Sequence, residues 1–130
     1  MVKILDSDHC IALLRGQLRL TDWVSPLEEL AITTISVGEL IHGAYKSAQS
    51  ARNLARVDVL LATVTVLPFD QAAARRFGLL KASLEQAGHR LSDLDLQIAG
   101  IALDHNAPLA THNQHHFERI AGLVIEDWLV

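Results

Sequence analysis

With 130 residues, the chain has room for one domain and one core, and hardly for two. Half of its residues are hydrophobic and only 5% are aromatic, a mix that suits helices packed on a buried sheet. A formal net charge of −4 argues against a wholly basic nucleic-acid binder while leaving room for a local basic patch, and a lone cysteine, Cys10, excludes an internal disulfide.

"VKIL" reads as a short buried strand that runs straight into two acids, Asp6 and Asp8. "SDHCIALLRG" follows as a helix, with Gly16 as its stop. Residues 17–30 are the least regular, because Pro26 and mixed polarity interrupt any helical period. "LAITTI", residues 30–35, is rich in β-branched residues and reads as the second strand. "SVGELIHGAYKS" opens a helix, and "SAQSARNLARVDVLLATV" continues as helix with Leu54, Val57 and Leu61 at helical spacing. "VTVLP" is a third strand ended by Pro68. The next helix, "QAAARRFGLLKASLEQAG", sets Phe77, Leu80, Leu84 and Ala87 on one face and Gly88 past its end. "DLQIAGIALDHN" is apolar nearly all round and is expected to be buried on most sides. "APLATHN" is a fourth strand running into a polar turn, and "LVIEDWLV" is a short final strand and tail. No apolar run approaches the ~20 residues of a membrane span. Nor does the N-terminus show a secretory signal, so a cytoplasmic location is expected.

Strands that alternate with helices predict an α/β fold with a parallel sheet covered on both faces. Ligands of such sheets bind beyond the carboxyl ends of the strands. Asp6 and Asp8 follow the first strand, Glu39 the second and Asn113 the fourth, while Asp93 and Asp95 open the buried helix. Carboxylates brought together repel one another and resist desolvation, so such a cluster is sensible where a cation fills it. Oxygen ligands suit Mg²⁺ or Mn²⁺, an arrangement used for phosphodiester hydrolysis.

Each motif also has a purely structural reading. "SVGE", Ser36 to Glu39, has the form of a capping box, and "SDLD", Ser92 to Asp95, nearly so. Asp8 has the character of an N-cap and Asn113 of a turn residue. Glu39 and Asp95 are each followed at once by apolar residues, which places both helix starts near the core. His105, His112, His115 and His116 lack the spacing of a zinc site and read as a solvated loop near substrate. Cys10, flanked by Ile11, reads as a core thiol rather than a nucleophile.

Three blocks, "ILDSD", "TISVGELIHGA" and "LSDLDLQIAGIALDHNAPLATHNQHHFERIAGLVIEDW", together resemble PIN-domain toxins of the VapC type. The resemblance implies one PIN domain over residues 1–130, a three-layer α/β/α sandwich around a mainly parallel sheet of four or five strands. It implies a metal-dependent endoribonuclease that uses Mg²⁺, with Mn²⁺ as substitute. It also implies a homodimer neutralised by a cognate VapB-type antitoxin protein. Carried over by position, the catalytic set falls on Asp6, Glu39, Asp95 and Asn113, with Asp6 and Asp95 as the metal ligands. Asp8, Asp93 and Thr111 are accessory candidates. RNA contacts would come from among Arg15, Arg19, Arg52, Arg56, Arg75, Arg76 and Arg90 and the histidines.

Three other readings are weighed from the sequence. "DSD" after a strand also fits a phosphohydrolase of the haloacid-dehalogenase type, although Lys3, Lys46 and Lys81 do not follow a strand as that chemistry requires; a receiver domain lacks its lysine in the same way. A non-catalytic domain of the same fold that binds RNA or protein is the other alternative.

Overall fold

The computed structural model describes residues 1–129; Val130, the end of the expected tail, lies outside the described residues. The strands are β1 (Val2–Leu5), β2 (Glu29–Thr33), β3 (Thr65–Leu67), β4 (Leu109–Ala110) and β5 (Ile125–Glu126). The helices are α1 (Ser7–Leu14), α2 (Thr34–Lys46), α3 (Ser50–Thr63), α4 (Gln71–Gln86), α5 (Asp93–Asp104) and α6 (Gln114–Phe117), with a 3-10 turn at Leu20–Asp22. The five strands form one sheet in the order β3-β2-β1-β4-β5, and every pairing is parallel. This is the expected α/β sandwich, with five strands.

Alternation along the strands divides the core in two. Ile4, Ala31 and Leu109 face one side, where Leu96, Ile98, Ile101 and Phe117 pack. Leu5, Ile32 and Ala110 face the other, against Cys10, Leu40, Val57 and Leu60. Parallel crossovers are right-handed. Successive steps from β1 to β2 to β3 therefore keep α1, α2 and α3 on one face. The return to β4, on the far side of β1, puts α4 and α5 on the other.

Two sequence expectations are corrected. The second strand stops at Thr33, whose Oγ1 accepts the Ser36 N–H at 3.1 Å. Thr33 is thus the N-cap and Ser36 the third helical residue. Glu39 consequently lies in the second turn of α2 and not at the third position of a capping box. Helix from Ser36 onward is also broken: Ser47 caps α2 in extended backbone and α3 begins anew at Ser50. The Ser47 hydroxyl donates to the Ala44 carbonyl and accepts from Asn53, which fixes the corner. Gly16 and Gly88 lie just past the C-caps of α1 and α4 with φ of +70° and +78°, the left-handed conformation that glycine enters without strain.

α5 is buried on most sides, as its sequence predicts, and it meets α4 backbone to backbone. A Cβ at Gly100 would lie 2.9 Å from the Ala73 carbonyl oxygen and 3.2 Å from the Phe77 nitrogen. Gly100→Ala should therefore force the two helices apart and lower stability by about 1–3 kcal/mol, the scale of overpacking. A fall in urea midpoint at unchanged m-value checks it; a midpoint equal to the parent's would show that the helices have room.

Candidate active site

β1 is the strand at which the sheet order reverses: the chain builds outward from it to β2 and β3, then returns to β4 on its other side. Such a switch point opens a crevice at the carboxyl ends of its two strands. Asp6 follows β1 on one lip and Thr111 follows β4 on the other. Thr111 Oγ1 donates to Asp6 Oδ2 at 2.8 Å, and the Ser7 N–H donates to Asp6 Oδ1 at 2.9 Å. Asp6 is only 5% exposed and Thr111 is fully buried, so the bond is shielded from competing water.

Asp6 and Glu39 show that the acids share one space. Burial raises the Asp6 carboxyl above its ordinary range, and the charges of Asp8 and Asp95 add to the rise against the lowering effect of Thr111 and Ser7. Burial also raises Glu39, assisted in turn by the charges of Asp6, Asp95 and Asp8. Asp95 sits at the third position of α5, with its N–H donating to the N-cap Ser92 Oγ at 3.1 Å. Its carboxylate faces another way: Asp95 Oδ2 lies 2.9 Å from His116 Nδ1. The Ser92 cap is real, yet it uses only the Asp95 backbone and leaves the carboxylate uncommitted to capping.

The accessory candidates separate. Asp8 is not the N-cap of α1, because Asp6 holds that place. Asp8 Oδ1 lies 2.6 Å from His9 Nδ1, and Oδ2 accepts the His112 N–H at 2.9 Å. Burial would raise Asp8, but these bonds outweigh it and hold the carboxyl below its ordinary value. Asp93 is exposed and pairs with Lys81 at 2.9 Å. Asn113 is the N-cap of α6 without a side-chain cap bond; its N–H donates to Thr111 Oγ1 at 3.1 Å. Cys10 is fully buried, and burial, with the charges of Asp6 and Asp8, pushes its thiol up to about 12. That value excludes a thiolate nucleophile at neutral pH.

Sequence reasoning grouped His116 with the solvated histidines and missed its contact with Asp95. The signal was faint, since His112, His115 and His116 are all exposed and only the turn of α6 brings His116 to Asp95. Beside Glu39 a cleft of about 300 Å³ opens between α1, α2 and α3, walled by Ile11, Leu14, Leu40 and Val57, with Arg15 and Arg56 on its lining. Those two, of the predicted arginines, line the same cleft as Glu39.

Comparison with known proteins agrees with this fold. The PIN domain model matches residues 3–123. The tRNA(fMet)-specific endonuclease VapC of Shigella flexneri is 37% identical over 100 residues, covering 77% of this chain and 76% of that protein. Ribonuclease VapC2 of Rickettsia felis is 29% identical over 132 residues and 98% of each chain. Among solved structures, VapBC2 of Rickettsia felis bound to a DNA fragment from their promoter superposes with a TM-score of 0.90 at 28% identity, covering 98% of this chain and 99% of that one. DNA-bound VapBC of Salmonella typhimurium gives 0.88 at 34% identity, again over 98% and 99%.

The raised Glu39 carboxyl has a consequence for stability. The folded state holds that proton more tightly than the unfolded chain does. Glu39 therefore subtracts from stability above its raised value, and the penalty fades as pH falls through that value into the ordinary carboxylate range. Glu39→Gln removes the charge without removing a hydrogen bond. In EDTA at neutral pH it should raise stability by up to about 1 kcal/mol, the scale of interactions between exposed charges. Urea melts across the acid range check this: the gain should close toward low pH, and a gain that persists there would assign it to something other than charge.

Proposed function

The chain belongs to the PIN-domain family, with VapC ribonucleases among its relatives, and we propose that it is the toxin of a type II toxin–antitoxin pair. In this reading it is a Mg²⁺- or Mn²⁺-dependent endoribonuclease, cytoplasmic and homodimeric, and a VapB-type antitoxin neutralises it. The observation that carries the reading is the gathering of Asp6, Glu39, Asp95 and Asp8 at the switch point, where the charges of Asp8 and Asp95 act on Asp6 and on Glu39. The likeness to VapBC complexes supports the partner. No helix among the described residues is long and apolar enough to cross a membrane.

A divalent cation suits the donor set. The carboxylates repel one another, and among the described residues the basic side chain within reach of Asp95 is the His116 imidazole rather than a lysine or arginine. Among the described residues no three acidic, histidine or cysteine side chains form a complete ligand set. Mg²⁺ does not require one, because it keeps several waters and takes one or two carboxylates. Asp6 and Asp95 would hold it. When bound, the ion would supply Lewis-acid polarisation of the phosphodiester and offset charge in the transition state.

The chain's own residues do the rest. Thr111 and Ser7 hold Asp6 in one rotamer, so its position needs no reorganisation during the reaction. Among the described residues Glu39 receives no hydrogen bond, and its carboxyl is raised; it orients the attacking water and accepts its proton at Oε. Asn113 adds a polar group without charge, which leaves the set one charge short of a four-acid site and favours a single ion. Arg15 and Arg56 meet backbone phosphates along the cleft. The same cleft, apolar in its walls and bordered by Glu39, takes an antitoxin segment whose arginine pairs with the carboxylates.

Asp6→Asn and Asp95→Asn should each abolish Mn²⁺-dependent cleavage of single-stranded or loop RNA, and Asn113→Ala should be milder. Cleavage by either variant above a mock preparation would defeat the assignment, and a silent parent would favour a non-catalytic binding domain. Thermal melts give a second measure, since a ligand of the folded state adds about 2.7 kcal/mol at a hundredfold excess over Kd. The parent should gain Tm with Mg²⁺ or Mn²⁺, and Asp95→Asn much less.

The antitoxin complex should lose that metal response, because its arginine occupies the acids. Melts of the purified complex with EDTA and with Mn²⁺ check this; a complex that responds as fully as the free toxin would place the inhibitor elsewhere.

A further inference from the structure

His9 is fully buried, and both of its ring nitrogens are engaged. Nε2 accepts the Trp128 backbone N–H at 3.0 Å. An amide N–H can only donate, so Nε2 carries no proton. The ring proton is therefore on Nδ1, where it is donated to Asp8 Oδ1 at 2.6 Å. Asp8 Oδ2 accepts the His112 N–H, and His112 Nδ1 lies 2.8 Å from Asp127 Oδ2. Asp127 precedes Trp128, so the contacts close a ring: Asp8, His9, the Asp127–Trp128 backbone, His112 and back to Asp8.

The ring joins three segments that are distant in sequence: the first turn of α1, the turn between β4 and α6, and the chain after β5. The last of these is firmly seated. Trp128 is 4% exposed, stacks on Trp23 with ring centroids 6.0 Å apart, and meets His9 edge-on at 5.7 Å. The second segment carries Thr111, which holds Asp6. A buried histidine with two partners is ordinary core architecture. This one differs because its partner Asp8 spends its other oxygen on the backbone of the turn that holds Asp6.

We propose that His9 is a positioning residue for the cleavage reaction: its Nδ1–H fixes Asp8, and Asp8 fixes the turn bearing Thr111 and Asn113, while its Nε2 seats the segment Asp127–Leu129 and serves the fold rather than the reaction. This inference rests on the nuclease reading above for its kinetic consequence, but not for the ring of contacts itself.

Two substitutions divide the two functions of the imidazole. His9→Asn keeps a donor where Nδ1 stands and loses the acceptor for Trp128. His9→Gln keeps an acceptor near Nε2 and loses the donor to Asp8. The measurements are kcat on a fluorescent RNA with Mn²⁺ below both melting temperatures, Tm, and hydrogen exchange of the His112 amide. His9→Gln should lower kcat about 10- to 100-fold, the usual effect of losing a residue that orients a site group, with the His112 amide losing protection. His9→Asn should lower Tm while retaining His112 protection and most of kcat. Equal kcat in both variants, or unchanged His112 exchange in His9→Gln, would overturn the proposal and leave His9 as core filling. If the parent cleaves no RNA, the nuclease reading fails, and the exchange data still decide whether His9 holds the turn through Asp8. Should His9→Gln not fold, Asp8→Asn carries the test, since its amide must present a donor to one of two donors; an unchanged kcat there overturns the proposal equally.

Discussion

The hydrogen bond from Thr111 to Asp6, 2.8 Å long and out of reach of solvent, ties together the two strands that flank the switch point. The remainder of the site depends on it. A buried ionised carboxylate carries a penalty of several kcal/mol in effective terms, and here two donors from the chain, the Thr111 hydroxyl and the Ser7 amide, offset part of it. Asp8 and Asp95 then work against that gain by repulsion. A fold keeps such an arrangement only where the surrounding framework is rigid enough to hold it and where a ligand relieves it.

The framework is the parallel sheet with β1 at its centre. Because all of its strands run the same way, every strand leaves the core at the same edge, and the residues that follow them meet there. Two apolar layers, one on each face, fix β1 from both sides. α5 contributes from a different direction. Its close approach to α4 at Gly100 sets its depth, and its Ser92 cap sets where its first turn begins. Together these bring Asp95 to the edge that Asp6 already occupies.

Capping does not use up the side chains of a helix start. At α5 the backbone of Asp95 serves the cap and its carboxylate is left to meet His116. At α2 the cap is Thr33, three residues before the serine that the motif suggested, so Glu39 is freed from capping altogether. Asp8 went the opposite way. It looks like a cap or a ligand in the sequence, and its two oxygens instead bind a histidine and a loop amide.

What the sequence by itself determined is the layered α/β architecture and the acids at its strand ends. Periodicity of two and of 3.6, with glycine stops after α1 and α4, is local information that survives without tertiary context. Asp6 and Asp95 were legible for the same reason, since each stands next to an apolar run whose burial is forced. Tertiary structure alone decided the register of the helix caps, the break between α2 and α3, and which polar groups pair. His116 meets Asp95, and His9 meets the Trp128 backbone, across separations in sequence that no local pattern encodes. A buried polar group must find a partner, but its own neighbours in the chain do not say which one; that choice is made only when the two sides of the crevice close on each other.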